Sequence, residues 1–217
     1  MITLRQSVQR PDAGIMRSIA DIPTADIADI LRERISLTDS IRPLFDMAPF
    51  AGPALTIETT PNDNLAIFAA LELVRPGDVL VVATGDFVSA ATIGDTFMAL
   101  CAARGVAAVV TDGLVRDVER MRRIGLPVLA RGRSPIPPRK AGPGRVGFDI
   151  VIGGVAVRAG DVIVSDADGV VVVPAERAQE LLDRQPAPST ATTPAARQDS
   201  LPEWLVGFLQ GDGVERV

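Results

Sequence analysis

Residues 76–117 read PGDVLVVATGDFVSAATIGDTFMALCAARGVAAVVTDGLVRD. Pro76-Gly77-Asp78 makes a turn into Val79-Leu80-Val81-Val82, a run too apolar to be half exposed and so a strand covered on both faces. Thr84 to Ala91 reads as a loop. From Ile93 to Arg104, the residues Ile93, Phe97, Leu100 and Cys101 fall on one helical stripe, and Gly105 stops the helix. Val106 to Val110 is a second buried strand, ending in the polar turn Thr111-Asp112-Gly113. Strand, helix and strand in this order are the unit of an α/β sheet with right-handed crossovers.

Outward from this stretch the alternation continues. A helix starts at Thr24 as N-cap and carries Ile27, Ile30 and Leu31 on one face. Gly52 to Thr56 begins a strand, and a helix from Asp63 to Leu73 stops before Pro76. Downstream, Val118 to Ile124 is a short helix ended by Gly125, and Leu126 to Ala130 resumes strand. From Val146 the texture changes: Val151-Ile152, Val155 to Val157, Asp161 to Val164 and Val170 to Val173 are short strands separated by Gly-Gly, Gly-Asp and Asp-Gly turns, the pattern of antiparallel hairpins. Glu176 to Arg184 forms a further helix. We therefore expect one α/β domain with a mixed sheet over residues 1–184, a Pro/Ala/Thr-rich linker over 185–200, and a tail over 201–217 whose Leu201, Trp204, Leu205, Phe208 and Leu209 share a helical face.

Composition narrows the chemistry. The 217 residues are 47% apolar and 23% charged, a globular balance long enough for one substantial core. There is no histidine, so a Ser-His-Asp triad, a Cys-His pair and a three-histidine zinc site are all excluded. Acid–base work near neutral pH falls to carboxylates, lysine or metal-bound water. A net charge of −5 and the absence of tyrosine argue against a nucleic-acid partner. The single cysteine, Cys101, forbids an internal disulfide and fits a reducing cytoplasm. Arg5, Arg10 and Asp12 interrupt any signal-peptide core, and no run reaches the roughly 20 apolar residues of a membrane span. The expectation is a soluble cytoplasmic protein.

One constellation carries chemistry. Gly94-Asp95-Thr96-Phe97 opens a helix, and the first amides of a helix lack internal partners and attract a carboxylate. Residues 96 to 115, twenty in number, separate Asp95 from the pair Arg116-Asp117. In a parallel unit a helix start and the end of the following strand share one sheet edge, the edge where such folds place ligands. The spacing thus brings together an anion seat, a guanidinium and two carboxylates. Other polar residues read as structural. Gly77-Asp78 and Gly160-Asp161 are turns, Asp112, Asp166 and Asp168 form turns, and Cys101 lies on the apolar stripe. Arg131 either lines the site or sits at a strand end.

The spacing resembles the Asp-x20-Arg-Asp signature of the class II pyruvate aldolases of the RraA-like family, which act on 4-hydroxy-4-methyl-2-oxoglutarate and 4-carboxy-4-hydroxy-2-oxoadipate. Pro76-Gly77-Asp78-Val79-Leu80-Val81-Val82, Asp112-Gly113-Leu114-Val115-Arg116-Asp117, Gly125-Leu126-Pro127-Val128 with Arg131-Gly132, and Ile152-Gly153-Gly154-Val155-Ala156-Val157 followed by Gly160-Asp161 and Asp166-Ala167-Asp168-Gly169-Val170 agree in order over residues 20 to 184. The resemblance implies a swivelling β/β/α fold and a homotrimer or a hexamer of paired trimers. It also implies a lyase that cleaves a 4-hydroxy-2-oxo dicarboxylic acid to pyruvate and a second oxo acid, with oxaloacetate decarboxylation as a side activity. By the same resemblance Asp117 is the single protein ligand of Mg²⁺ or Mn²⁺. Arg116 contacts the keto and carboxylate oxygens and stabilises an enolate, the amides of Gly94, Asp95, Thr96 and Phe97 hold the pyruvyl carboxylate, and Asp95 marks lyase-competent relatives. One departure stands out. The aldolases' C-terminal segment supplies a glutamate, and neither Glu203 nor Glu215 aligns with it across the linker. The alternative class is a non-catalytic regulator that binds an RNA-degrading enzyme, as the family's namesake does.

Overall fold

The run Val79–Ala83 is a strand with every residue buried. Its alternate side chains enter two different cores: Leu80 and Val82 join one, and Val79, Val81 and Ala83 the other, as the two-residue repeat of a strand requires. Such a strand needs cover on both faces, and the rest of the chain supplies it.

A computed structural model describes residues 1–185. In chain order the elements are β1 (Ile2–Leu4), α1 (Ala13–Ala20), α2 (Thr24–Leu31), β2 (Arg42–Pro43), β3 (Phe50–Thr59), α3 (Leu65–Ala69), β4 (Val79–Ala83), β5 (Ala91–Ile93), α4 (Asp95–Ala102), β6 (Ala108–Thr111), β7 (Leu114–Val115), α5 (Val118–Ile124), β8 (Val128–Ala130), β9 (Gly132–Arg133), β10 (Gly144–Val146), β11 (Ile150–Ile152), β12 (Val155–Val157), β13 (Val162–Ser165), β14 (Val170–Val173) and α6 (Ala178–Arg184). The expected linker and tail fall beyond Gln185, outside the described residues, apart from Gln185 itself.

Strands β3, β4, β6 and β8 pair in parallel and form the centre of a mixed nine-stranded sheet. β10 and β13 pair antiparallel with opposite ends of the long β3. Helices α3, α4 and α5 cover one face of the centre through Ala66, Ile67, Phe97, Met98, Cys101 and Met121. The β11–β12 hairpin covers the other through Ile150, Ile152, Val155 and Val157. On the β13–β14 hairpin, Val162, Val164, Val171 and Val173 pack against Ile19, Ile27 and Leu31 of α1 and α2 and Leu181 of α6. A separate three-stranded parallel sheet, β5-β7-β9, carries the candidate site. The architecture is the mixed α/β fold that the sequence implies. No helix among the described residues is long and apolar enough to cross a membrane.

Local chemistry corrects several expectations. Thr24 is not a cap but the first helical residue, because its hydroxyl and amide both donate to Asp166, at 2.7 and 2.8 Å. An additional helix, α1, precedes it, opened by Asp12 accepting from the Gly14 amide. The helix expected over residues 63–73 is shorter: Asp63 turns back to accept from the amides of Leu65 and Ala141, and α3 gives way to a 3₁₀ turn over Ala70–Glu72. Ile93 ends strand β5 rather than starting a helix, since Gly94 is extended, with φ −131° and ψ 176°.

The remaining polar residues hold the frame. Asp112 is buried and accepts from the amide and hydroxyl of Thr84 and the amide of Asp86. Asp78 does more than shape its turn: it accepts from Nε and Nη2 of Arg10, at 2.9 and 2.7 Å. Cys101 is fully buried, and burial pushes its thiol up to about 12, far from any nucleophilic role.

Candidate active site

The site is built on the ends of the three short parallel strands. Gly94 follows β5, Arg116 follows β7 and Ser134 follows β9. Backbone hydrogen bonds lock these ends together: the Arg116 amide donates to Ile93 O and the Ser134 amide to Val115 O, each at 2.9 Å. Sequence spacing places the constellation on the edge of the main sheet. The structure instead places it on this smaller layer, one turn beyond the end of β6, where Thr111-Asp112-Gly113 leads into β7.

Asp117 occupies the left-handed region, with φ 62° and ψ 35°. Aspartate tolerates that conformation better than most residues but still at a cost of about 1 kcal/mol. Its carbonyl accepts from the amides of Arg120 and Met121 and so starts α5, while its side chain makes no capping bond. The carboxylate turns instead toward Arg116, whose Nε donates to Oδ2 at 2.9 Å. Both side chains are partly open to solvent, and Oδ1 of Asp117 has no partner among the described residues. They line a pocket of about 370 Å³ with Val118, Glu119, Arg133 and Ser134.

Gly94 is what lets these groups meet. A Cβ built on it would stand 3.3 Å from Asp117 Oδ2 and 3.4 Å from Arg116 Cγ. Gly94 also opens α4, and no acceptor among the described residues takes the amides of Gly94, Asp95 or Phe97. The Thr96 amide differs from the expectation, because Asp95 Oδ1 already accepts from it at 2.8 Å. Phe97 can contribute only its amide, since its ring is buried edge-on against Phe68 with centroids 5.4 Å apart.

Asp95 has a partner that sequence reading does not identify. Arg120 on α5 reaches its Oδ2 at 3.2 Å. Partial burial pushes the Asp95 carboxyl up, but the hydrogen bonds from Arg120 and Thr96 outweigh it and hold the group below its ordinary value. The available signal is positional: Arg120 lies in the first turn of the helix that Asp117 starts. Arg131 pairs with Asp86 at 2.8 Å and does not join the site.

The donor set bears on what cation could sit here. Among the described residues no group of three His, Cys, Asp or Glu side chains could enclose an ion. One carboxylate with a free oxygen on an open pocket suits a hard cation that keeps most of its water, the habit of Mg²⁺ and Mn²⁺.

Comparison with known proteins identifies relatives of the chain. A protein of Halalkalibacterium halodurans provisionally named 4-hydroxy-4-methyl-2-oxoglutarate aldolase is 36% identical over 163 residues, 75% of this chain and 78% of that protein. Among solved structures, RraAS2 of Streptomyces coelicolor, an unusual member of the RNase ES inhibitor RraA protein family, matches with a TM-score of 0.75 at 33% identity, covering 82% of this chain and 92% of that one. The RNA-processing inhibitor RraA of Thermus thermophilis matches with a TM-score of 0.66 at 30% identity, covering 71% and 93%. A family model described as "RraA-like: Aldolase/RraA" matches residues 24–172, and the chain belongs to the RraA-like family.

Proposed function

We propose that the chain is a divalent-metal-dependent carbon–carbon lyase that cleaves a 4-hydroxy-2-oxo dicarboxylic acid to pyruvate and a second oxo acid through a pyruvate enolate. The observation that carries this reading is the convergence of Gly94, Arg116 and Asp117 beside the open amides of α4. When bound through Asp117, Mg²⁺ or Mn²⁺ supplies Lewis-acid stabilisation of negative charge on the substrate's keto oxygen. The amides of Gly94, Asp95 and Phe97 receive the pyruvyl carboxylate. Arg116, with Nε committed to Asp117, offers its Nη groups to the keto and carboxylate oxygens, where charge builds as the enolate forms.

Cleavage breaks the C3–C4 bond as the 4-hydroxyl loses its proton. The bonding pair becomes the enolate, and protonation at C3 then yields pyruvate. We assign Asp95, held ionised between Arg120 and Thr96, to proton transfer. Oxaloacetate would lose CO₂ to the same enolate with no alcohol to deprotonate. On this reading active sites lie in a homotrimer or hexamer, an assembly that light scattering on the full chain would measure.

The solved RraA structures favour a second reading, a regulator that binds an RNA-degrading enzyme. A pyruvate-release assay over a panel of 4-hydroxy-2-oxo acids and oxaloacetate, with and without Mg²⁺ or Mn²⁺, decides between them. Metal-dependent release supports the lyase. No release from any member, together with saturable binding to a purified ribonuclease, establishes the regulator instead.

A further inference from the structure

The pocket beside Asp117 holds a second guanidinium that the proposed chemistry does not use. Parallel pairing of β9 with β7 sets Arg133 level with Val115, the residue before Arg116. Arg116 and Arg133 both line this pocket. Four nearby arginines are engaged: Arg116 with Asp117, Arg120 with Asp95, Arg122 with Glu119 and Arg131 with Asp86. Arg133 has no acidic partner and no side-chain hydrogen bond among the described residues, and it is exposed at the end of its strand. Beside it, the Ser134 hydroxyl accepts from the Ile136 amide at 3.3 Å and keeps its own proton to donate.

Two guanidiniums on one pocket wall can each take a carboxylate in the two-pronged geometry that planar forks favour. We propose that Arg133 is a specificity-determining residue that binds the carboxylate at the far end of the substrate from its pyruvyl group. It thereby selects 2-oxo dicarboxylates over 2-oxo acids with an uncharged end. This role rests on the site being one for 2-oxo acids. Arg120 is the competing cation, but it is committed to Asp95 and is not part of the pocket wall.

The test uses two probes without a 4-hydroxyl to cleave: 2-oxoglutarate and 2-oxopentanoate, which carry a carboxylate and a methyl group at C5. Titration calorimetry on the full chain with Mg²⁺ gives their affinities for the wild type, Arg133→Gln and Arg133→Lys. The wild type should prefer 2-oxoglutarate by about tenfold or more, the range of a charge-assisted hydrogen bond. Arg133→Gln should abolish the preference by weakening 2-oxoglutarate alone, and Arg133→Lys should retain part of it. A wild type that binds neither probe or does not discriminate overturns the role of Arg133. So does a variant that is unchanged or loses both probes equally. Pyruvate release by the same proteins separates the two claims. Selectivity without turnover rejects the lyase and keeps Arg133, whereas turnover without selectivity rejects Arg133 alone.

Discussion

Gly94 and Asp117 face each other so closely that a methyl group on the glycine would lie 3.3 Å from the carboxylate oxygen Oδ2. The Gly94 backbone, at φ −131° and ψ 176°, is open to any residue, so the glycine answers to space and not to conformation. Gly94→Ala should therefore fold with a melting temperature near that of the wild type. The carboxylate and the Arg116 stem must each give by a few tenths of an ångström, and kcat/KM should fall by about 10- to 100-fold, as small misplacements of reacting groups cost. A variant with undiminished kcat/KM would show that the contact has no bearing on catalysis.

Asp117 combines a charge with a left-handed backbone, and two substitutions separate them. Asparagine tolerates that backbone, so Asp117→Asn removes the charge with little strain. Asp117→Ala adds about 1 kcal/mol of strain to the loss of charge. Both should abolish metal-dependent pyruvate release and heat of Mn²⁺ binding, but only the alanine variant should also melt measurably earlier. Chelator-sensitive activity at the wild-type rate in Asp117→Asn would remove Asp117 as the metal ligand.

How far the sequence discloses this site depends on the length of the pattern behind each residue. Helix α5 is legible to the residue, Val118 to Ile124, because Gly125 at φ 77° stops it where a glycine is expected. The buried run of β4 is legible because the four apolar residues Val79 to Val82 in succession do not suit a half-exposed strand, and the structure extends the strand by one residue to Ala83. The β5-β7-β9 layer is not, since strands such as Leu114–Val115 and Gly132–Arg133 are too short to show any periodicity. The proximity of Arg116 and Asp117 to Gly94 follows from spacing, whereas the pairing of Arg120 with Asp95 depends on how α4 packs on α5. The Thr96 amide illustrates the same limit: its capture by Asp95 is a matter of rotamer, which spacing does not encode.

Asp95 can be tested by comparing two reactions that share an enolate. Asp95→Asn should reduce retro-aldol cleavage by about 100-fold, the usual weight of a general base. Oxaloacetate decarboxylation needs no alcohol deprotonation and should fall far less. Equal losses in both would assign Asp95 to substrate binding instead.

The low pKa of Asp95 predicts a pH effect with a definite sign. Partial burial opposes ionisation, while Arg120 and Thr96 favour it and prevail. A depressed folded-state pKa gives stability that is present above the unfolded value and lost as pH falls through the folded one. Arg120→Gln should raise the Asp95 pKa, followed by carboxyl NMR, and so weaken stability at neutral pH and above, with the difference from the wild type vanishing as pH falls into the acid range. Because Arg120 is mostly exposed, the change should stay below about 1 kcal/mol. An Asp95 titration unmoved by the substitution would mean that the ion pair does not form in solution.

The largest single stability effect should come from Arg10 and Asp78, far from the site in sequence and function. Asp78 is 1% exposed and accepts from two nitrogens of Arg10 and from the Arg75 amide. Arg10 in turn donates to the carbonyls of Val8 and Leu73, tying the N-terminal segment to the turn before β4. Arg10→Met keeps much of the aliphatic volume but leaves a buried carboxylate and two carbonyls without their donor. Breaking such a pair from one side costs about 3–5 kcal/mol, and at roughly 2–4 °C per kcal/mol the melting temperature should drop by on the order of 10 °C. The double variant Arg10→Met with Asp78→Leu removes the orphaned charge and should recover part of the loss, since the penalty lies in the unpaired ion more than in the absent bond. A double variant no more stable than Arg10→Met would place the cost in the lost carbonyl contacts of Val8 and Leu73.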